Sequence, residues 1–275
     1  MLVFGDHTRD ADPREEVRAL ERSLYELIAR PPGLARHAAL VGAFIQASEL
    51  AQGLADAETQ LSEIDSRGVI SDAAMAVLVA LGHEIATSWR SSFAHRPVVP
   101  RALATLRMPP LPALIRMRLA EGHAYYAVYP EAYLAAATTA IAVRPGPRQV
   151  IGIRSIGSGL AAIVAVAQTA PLPATVRPRG APYQRQLHVA QALANEWTRD
   201  PSVTFAIVDE GPGMCGSSFG AVADALEDRG VTTDRIECFP SHTGELGPIA
   251  SERHRDRWDR IRWHVVDVDE LLVTS

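Results

Sequence analysis

Lysine is missing from this chain: all 27 of its basic residues are arginine. Without a lysine amine the chain cannot form a Schiff base with a carbonyl substrate, and it lacks the lysine that a standard ATP-binding P-loop requires. Any phosphate that the protein binds must therefore be met by arginine, by backbone N–H groups or by the positive end of a helix dipole.

Cysteine is scarce as well, because the chain contains two, Cys215 and Cys238. A chain of 275 residues is long enough to bury a hydrophobic core without disulfides or metals. The acidic opening stretch does not resemble a signal peptide, and we read no apolar run as long enough to span a bilayer. A net charge of −5 offers no basic surface for duplex nucleic acid or an anionic membrane. We expect a cytoplasmic protein that binds neither; a homodimer stays an open alternative.

The first third of the sequence has the spacing of apolar residues that is typical of helices. Prolines then recur from Pro97 to Pro112, which indicates a connector with little regular structure. We predict an all-helical N-terminal unit over residues 1–95 and a connector over residues 96–111, with Ser71 as the cap of the third helix. The predicted helices cover residues 13–30, 35–64 and 71–90.

Residues 112–275 alternate between short apolar segments and helical patterns. Such alternation is typical of a mostly parallel sheet with helices on both faces, so we predict an α/β, Rossmann-like domain. The stretch HAYYAVY at residues 123–129 is expected to be extended. The predicted strands cover residues 149–154, 174–178, 204–210, 235–240 and 263–268.

The stretch FAIVDEGPGMCGSSF at residues 205–219 takes an apolar strand into two acids and then into a glycine loop before a helix. Such loops gather N–H groups around an anion. Gly211 and Gly216 have P-loop spacing, but Ser217 stands where lysine is required. GSSFG also fits a nucleophile elbow around Ser218, with a histidine such as His242 or His264 completing a triad, although the strand ends several residues early. An ordinary turn is a further alternative.

A ribose 5-phosphate explains both halves of this stretch, because its hydroxyls need acceptors and its phosphate needs an anion site. The stretch resembles the phosphoribosyl pyrophosphate (PRPP) motif of type I phosphoribosyltransferases. The resemblance implies that Asp209 and Glu210 hold the ribose diol. It also implies that a loop holds the 5-phosphate. The residues of this loop are Gly211, Gly213, Met214, Cys215, Gly216, Ser217 and Ser218.

A second stretch, VIGIRSIGSGLAAIVAVA, resembles the first core strand of that family with its pyrophosphate loop. The segment ATVRPRGAPYQRQ takes the place of the family's mobile loop, and the resemblance extends over residues 112–245. It implies a pyrophosphate loop of Arg154, Ser155, Gly157, Ser158 and Gly159, and catalytic arginines at Arg177, Arg179 and Arg185. The chain departs from the family pattern in a longer phosphate loop, in Met214 and Cys215 at hydroxyl positions, and in its missing lysine.

The resemblance implies an enzyme that moves a 5-phosphoribosyl group from PRPP to a nitrogen acceptor and releases pyrophosphate. Mg²⁺ would bind with PRPP near Asp209 and Glu210, not by protein ligands alone. Ser241 and His242 follow a predicted strand and could contact the acceptor. A fainter resemblance is to phosphoribosyltransferase-like proteins linked to tellurium-resistance type operons, which indicates no substrate. The alternatives are a non-catalytic PRPP or nucleotide sensor and, third, a serine hydrolase that uses Ser218.

Overall fold

The computed structural model describes residues 7–181 and 183–273. Residues 1–6 of the predicted helical unit, Pro182 of the predicted mobile loop and residues 274–275 lie outside the described residues. The strands are β1 Thr8–Ala11, β2 Ile115–Arg118, β3 Arg148–Ile153, β4 Ala174–Val176, β5 Thr204–Val208, β6 Ile236–Phe239 and β7 Arg262–Trp263. The helices are α1 Pro13–Ile28, α2 Leu34–Thr59, α3 Val69–Arg90, α4 Ala102–Leu106, α5 Glu121–Tyr125, α6 Pro130–Val143, α7 Gly157–Gln168, α8 Gln191–Thr198, α9 Ser217–Glu227, α10 Glu252–Trp258 and α11 Val268–Val273.

Five strands form one parallel sheet in the order β4-β3-β5-β6-β7. This arrangement confirms the predicted α/β class and its parallel sheet. The strands β1 and β2 form a separate antiparallel pair. The sheet begins in the middle: the chain moves from β3 outward to β4, then returns to the other side of β3 and continues through β5, β6 and β7.

The two faces of the sheet are covered by different helices, because neighbouring strand residues point in opposite directions. One face packs against α8 and α9, and the other packs against α6 and α7. The first face carries Ile151, Phe205, Ile207, Ile236 and Cys238. The second face carries Val150, Ala206, Val208 and Phe239.

Helix α7 is apolar on all sides, and eleven of its twelve residues are buried. A helix of this kind must be covered all round. The sheet covers one side, α6 lies beside it, and α2 and α3 pack on the far side. One hydrophobic cluster therefore runs from α1 through α2 and α3 to the sheet. The division into residues 1–95 and 112–275 stays a prediction.

The helices α2 and α3 are long and apolar enough to cross a membrane by length and composition. The expectation that no apolar run reaches this length was therefore wrong. Both helices contribute buried residues to the hydrophobic cluster, and core helices of soluble proteins pass the same test. The location of the protein in the cell stays a prediction.

Five local features differ from the sequence prediction. The strand predicted over residues 263–268 is limited to β7 Arg262–Trp263, and α11 begins at Val268. Residues 8–11 form β1, which pairs with β2, and α4 lies within the predicted connector. The HAYYAVY stretch begins inside α5 instead of forming a strand. Ser71 lies inside α3, whose first N–H groups are capped by a carboxylate from α2: Ile70 and Ser71 donate to the two oxygens of Glu58 at 2.9 and 2.8 Å.

We expect Gly159→Ala to destabilise the protein by about 1–3 kcal/mol, as an overpacked helix contact does. A Cβ atom at residue 159 would lie 2.7 Å from Ser48 Oγ and 3.2 Å from the Phe44 ring, so α2 and α7 would have to separate. Gly42→Ala is the matched control, because α2 leaves open space there and alanine favours a helix by about 0.5–1 kcal/mol. Urea unfolding followed by circular dichroism would measure both, and equal effects would contradict the packing role of Gly159.

Candidate functional site

The two predicted glycine loops meet at the carboxyl ends of β3 and β5. This is the point where the strand order reverses, and open α/β sheets bind ligands in the crevice formed there. The contact is close: a Cβ atom on Gly157 would lie 2.5 Å from the carbonyl oxygen of Val208 and 3.4 Å from Cα of Asp209. Only glycine allows this approach, so the first loop is held against the start of the second.

The acid pair lies at this crevice, with both residues half-buried. The pKa of Asp209 is raised to about 8. Burial is the largest cause and the Glu210 carboxylate adds to it, while a hydrogen bond from the Glu210 N–H (2.9 Å) and the charges of Arg185 and Arg177 oppose the shift. Burial and the nearby Glu121 also raise the pKa of Glu210. The crevice thus holds a carboxyl group that is largely protonated at neutral pH.

Backbone hydrogen bonds fix the position of the acid pair. The Tyr133 hydroxyl, from α6, donates to the carbonyl oxygens of Asp209 (2.8 Å) and Glu210 (3.3 Å). The N–H of Ser241, which follows β6, donates to the Glu210 carbonyl at 2.6 Å. Burial and the two acids raise the pKa of Tyr133 well above its usual value, so it remains a donor. No local sequence pattern indicated this role for Tyr133.

The second glycine loop is bent at two left-handed glycines, Gly213 (φ 59°) and Gly216 (φ 62°). Gly216 comes directly before α9, so the loop delivers the chain to a helix N-terminus. Met214 is 61% exposed and its carbonyl accepts from the N–H of Gly247 at 2.8 Å, which ties the loop to the segment after β6. Cys215 Sγ donates to Ser217 Oγ at 3.1 Å. The two glycines thus let the loop turn twice before α9 begins.

Ser218 lies in the first turn of α9, and Arg185 Nη1 donates to its Oγ at 3.2 Å. This contact brings the segment after β4 to the start of α9. A nucleophile elbow needs its serine on the turn directly after a strand. Here β5 ends at Val208 and α9 begins at Ser217, so the geometry disfavours the hydrolase alternative.

The other predicted phosphate-binding arginines are held by acids of the N-terminal half. Arg177 makes a two-point contact with Asp56, at 2.8 and 2.5 Å. Arg179 lies 3.4 Å from Asp65, which is fully buried. Arg154 is buried and contacts both acids, and burial lowers its pKa to about 10. These three guanidinium groups thus share two carboxylates in the described structure. The sequence reading missed Asp56 and Asp65.

The segment expected to be mobile is anchored on both sides. Arg179 and Gln186 exchange two backbone hydrogen bonds of 2.8 Å, and Asp65 pairs with the residues around Val189. The pair formed by Arg179 and Gln186 thus joins the two ends of the segment 180–185. Pro182 of this segment is outside the described residues. Mobility stays a prediction, and the hydrogen bonds restrict it to this segment.

The remaining residues of the first loop have mixed surroundings. Ser155 is half-buried and its peptide bond with Arg154 is cis. Ser158 is buried, and its Oγ has no hydrogen-bond partner among the described residues. Such a group is costly and favours a ligand or an ordered water nearby. Gly159 faces Ser48 of α2, so its close approach serves helix packing instead of the loop.

Within residues 7–181 and 183–273, no group of three His, Cys, Asp or Glu side chains is placed to hold a metal ion. Mg²⁺ is commonly held by one or two carboxylates together with substrate phosphates. The oxygen donors of Asp209 and Glu210 fit an ion of this kind that a bound diphosphate also coordinates. The magnesium ion stays a prediction.

Comparison of the chain with protein-family models, with curated proteins and with solved structures finds no match. The chemistry of the site therefore has to be inferred from its residues. The structure brings together the acid pair, both glycine loops and Arg185 at one sheet edge. It places Arg154, Arg177 and Arg179 in ion pairs beside that edge.

We expect Asp209→Asn to change how stability depends on pH. The folded-state pKa is about 8, against 3.8 for a free carboxyl. Between these values the folded state binds more protons, so wild-type stability should fall as the pH rises from 5 to 8. Asparagine removes this slope, and at pH 8 the variant should be more stable by at least about 1 kcal/mol. Urea unfolding at several pH values would measure it. The control is Asp256→Asn, at an exposed position in α10, which should keep the wild-type dependence of stability on pH. If Asp209→Asn also keeps that dependence, the pKa of Asp209 is not raised by burial.

Proposed function

We propose that this chain binds PRPP and transfers its 5-phosphoribosyl group to a nitrogen acceptor, with release of pyrophosphate. We propose accordingly that its sheet is of the type I phosphoribosyltransferase kind. The observation that carries the proposal is the juxtaposition at the strand-order reversal. There, Asp209 and Glu210 lie between a glycine loop packed against them and a second glycine loop that leads into α9.

Each part of the crevice has a partner on PRPP. The carboxyl oxygens of Asp209 and Glu210 accept from the ribose hydroxyls. The N-terminus of α9, with Ser218 and Arg185, binds the 5-phosphate, because helix N-termini and guanidinium groups favour anions. Ser158 Oγ supplies a buried hydroxyl to the loop that meets the diphosphate. Mg²⁺ bound with the diphosphate would neutralise charge on the leaving group.

Two ionised acids beside a phosphate site would repel a polyanion such as PRPP. The raised pKa of Asp209 reduces this repulsion. At neutral pH, burial keeps much of this carboxyl protonated before ligand binds. A protonated carboxyl does not repel the phosphates of PRPP and can donate a hydrogen bond to a ribose oxygen. Arrival of Mg²⁺ would favour the ionised form, since a nearby cation lowers a carboxyl pKa. The acid pair can therefore exist beside a phosphate site.

A non-catalytic PRPP sensor is the second candidate, and the arginine ion pairs favour it. Arg154, Arg177 and Arg179 contact Asp56 in α2 and Asp65 in the connection to α3. A diphosphate that competes for these arginines would release the two acids. In this reading α1–α3 form a helical unit that reports ligand binding, since a ligand shifts an equilibrium by its differential affinity for two states.

Calorimetric titration of the full chain with PRPP and Mg²⁺ tests the binding that both candidates share. Pyrophosphate release with a panel of purine and pyrimidine acceptors then separates them. Turnover supports the enzyme. Binding without turnover, together with faster hydrogen exchange over residues 56–68 on addition of PRPP, supports the sensor. Failure to bind PRPP in the presence of Mg²⁺ would overturn the proposal.

We expect Ser218→Asp to fold normally yet lose PRPP. A carboxylate in the first turn of α9, beside Arg185, should stabilise the helix by about 0.3–1 kcal/mol. The same charge would occupy the place of the 5-phosphate and raise the Kd for PRPP at least about a hundredfold, or roughly 2.7 kcal/mol. Ser218→Ala, which removes one bond among several, should weaken binding only about five- to thirtyfold. Both are measured by calorimetry at pH 8.

The matched control is Ser251→Asp, which adds the same charge at the cap of α10, where the serine oxygen accepts from the His254 N–H. It should bind PRPP as the wild type does. If Ser218→Asp also binds PRPP normally, the N-terminus of α9 is not the phosphate site.

A further inference from the structure

A cavity of about 510 Å³ lies beside the acid pair. Ligand pockets typically measure about 300–1,000 Å³, so its size suits a small molecule. Its walls come from the α5–α6 connection, from α6 and from the segments after β6 and β7. It therefore opens at the carboxyl edge of the sheet.

The cavity and the acid pair share residues at their border. Tyr133 lines the cavity while its hydroxyl donates to Asp209 and Glu210. Ser241 lines it while its N–H donates to the Glu210 carbonyl at 2.6 Å. If the acid pair holds the ribose diol, C1 of the ribose is one bond from the 2′-carbon. The nitrogen acceptor must therefore approach from a space that borders the pair, as this cavity does.

The walls suit a flat heteroaromatic ring. Tyr126 and Tyr129, both 45% exposed, stand with Tyr133 among the lining residues, and aromatic faces stack on such rings. Ser241, His242 and Thr243 line the cavity with hydroxyl and imidazole groups. The N–H of Gly244 donates to His242 Nδ1 at 3.2 Å, which fixes the ring of this histidine at the cavity wall.

The charges of the cavity select against acidic rings. None of the described lining residues is an arginine, whereas Asp267 and Asp269 both line it. Both acids are exposed, and a ligand carboxylate would meet their like charge with no guanidinium partner among the described lining residues, which is unfavourable. A ring with neutral N–H and C=O groups would find donors and acceptors.

We propose that this cavity is the acceptor site and that it takes an uncharged nitrogen heterocycle of the purine or pyrimidine lactam class, not a ring that carries a carboxylate. The identity of the ligand as second substrate rests on the proposed function. In the transfer, the ring N–H proton passes to water, the nitrogen electron pair forms the bond to C1, and the C1–O pair leaves with pyrophosphate.

The test titrates the full chain with hypoxanthine, uracil and orotate, each with and without PRPP and Mg²⁺, at pH 8, where an imidazole is neutral. Saturation-transfer NMR and calorimetry report binding. At least one uncharged ring should bind at least about tenfold more tightly than orotate, or roughly 1.4 kcal/mol. Equal or tighter binding of orotate overturns the proposal, and so does failure of both uncharged rings to bind under either condition.

A charge added to the cavity wall should change this selectivity. Thr243 is exposed and lines the cavity, so Thr243→Arg should keep the fold and improve orotate binding at least about tenfold. Thr105→Arg, on the exposed side of α4, is the control and should leave all affinities unchanged. If Thr243→Arg changes nothing, the rings do not occupy this cavity. Loss of PRPP binding alone would overturn the proposed function but not this site, because the titrations without PRPP still report it.

Discussion

The burial of α7 on every side is the constraint on which the rest of the structure depends. Its residues offer no polar face to water, so the sheet must cover one side and α2 and α3 the other. Because α7 begins inside the predicted first glycine loop, with Gly157, Ser158 and Gly159 as its first helical residues, its packing fixes Gly157 against Asp209. The close contact between Gly159 and Ser48 brings α2 near the sheet edge. From there, Asp56 reaches the arginines that follow β3 and β4.

The charges at the sheet edge are separated as a consequence. Three arginines, Arg154, Arg177 and Arg179, share two acids from the N-terminal half. Of this group Arg154 and Asp65 are buried, where an unpaired charge would be strongly destabilising. The charges of Arg185 and Arg177 lower the pKa of Asp209 only in part, and burial keeps it raised, at about 8. Positive charge that faces the second glycine loop comes from Arg185 and the start of α9. A ligand that combines hydroxyl groups with a phosphate complements this pattern.

The parts that could be predicted from the sequence are those with a local physical cause. Apolar periodicity located α1, α2, α7 and the parallel strands, and a strand followed by acids and glycines located the second loop. The parts that could not are single side chains that act over long distances in the chain. Asp65 and Arg154 are 89 residues apart, and Tyr133 and Asp209 are 76 apart. No short pattern marks such a residue, because its partner is defined only by the folded chain.

The helix starting at Val69 shows the same limit at closer range. A serine near a helix start is a common cap, yet Glu58, twelve residues before Ile70, caps this helix from α2. The capping group of α3 is therefore set by its antiparallel packing against α2, and not by the local preference for a serine cap. Similarly, α5 forms where an aromatic strand was expected. There, the N–H of Gly122 meets the Glu210 carboxylate, so contact with the acid pair overrides strand propensity.

The ion pairs of Arg177 and Arg179 bear on catalysis as well as on sensing. Interactions that hold substrate and transition state equally do not raise kcat. If the chain binds PRPP as proposed, arginines that are engaged by Asp56 and Asp65 in the free chain would add little to ground-state binding. If they exchange to the diphosphate only as its negative charge develops, their contribution is realised in the transition state. In a sensor the same exchange would occur on binding and would move α2. Both proposed functions would thus depend on the same exchange, in which Arg177 and Arg179 leave Asp56 and Asp65 for the diphosphate. In the enzyme the exchange would occur in the transition state, and in the sensor it would occur on ligand binding.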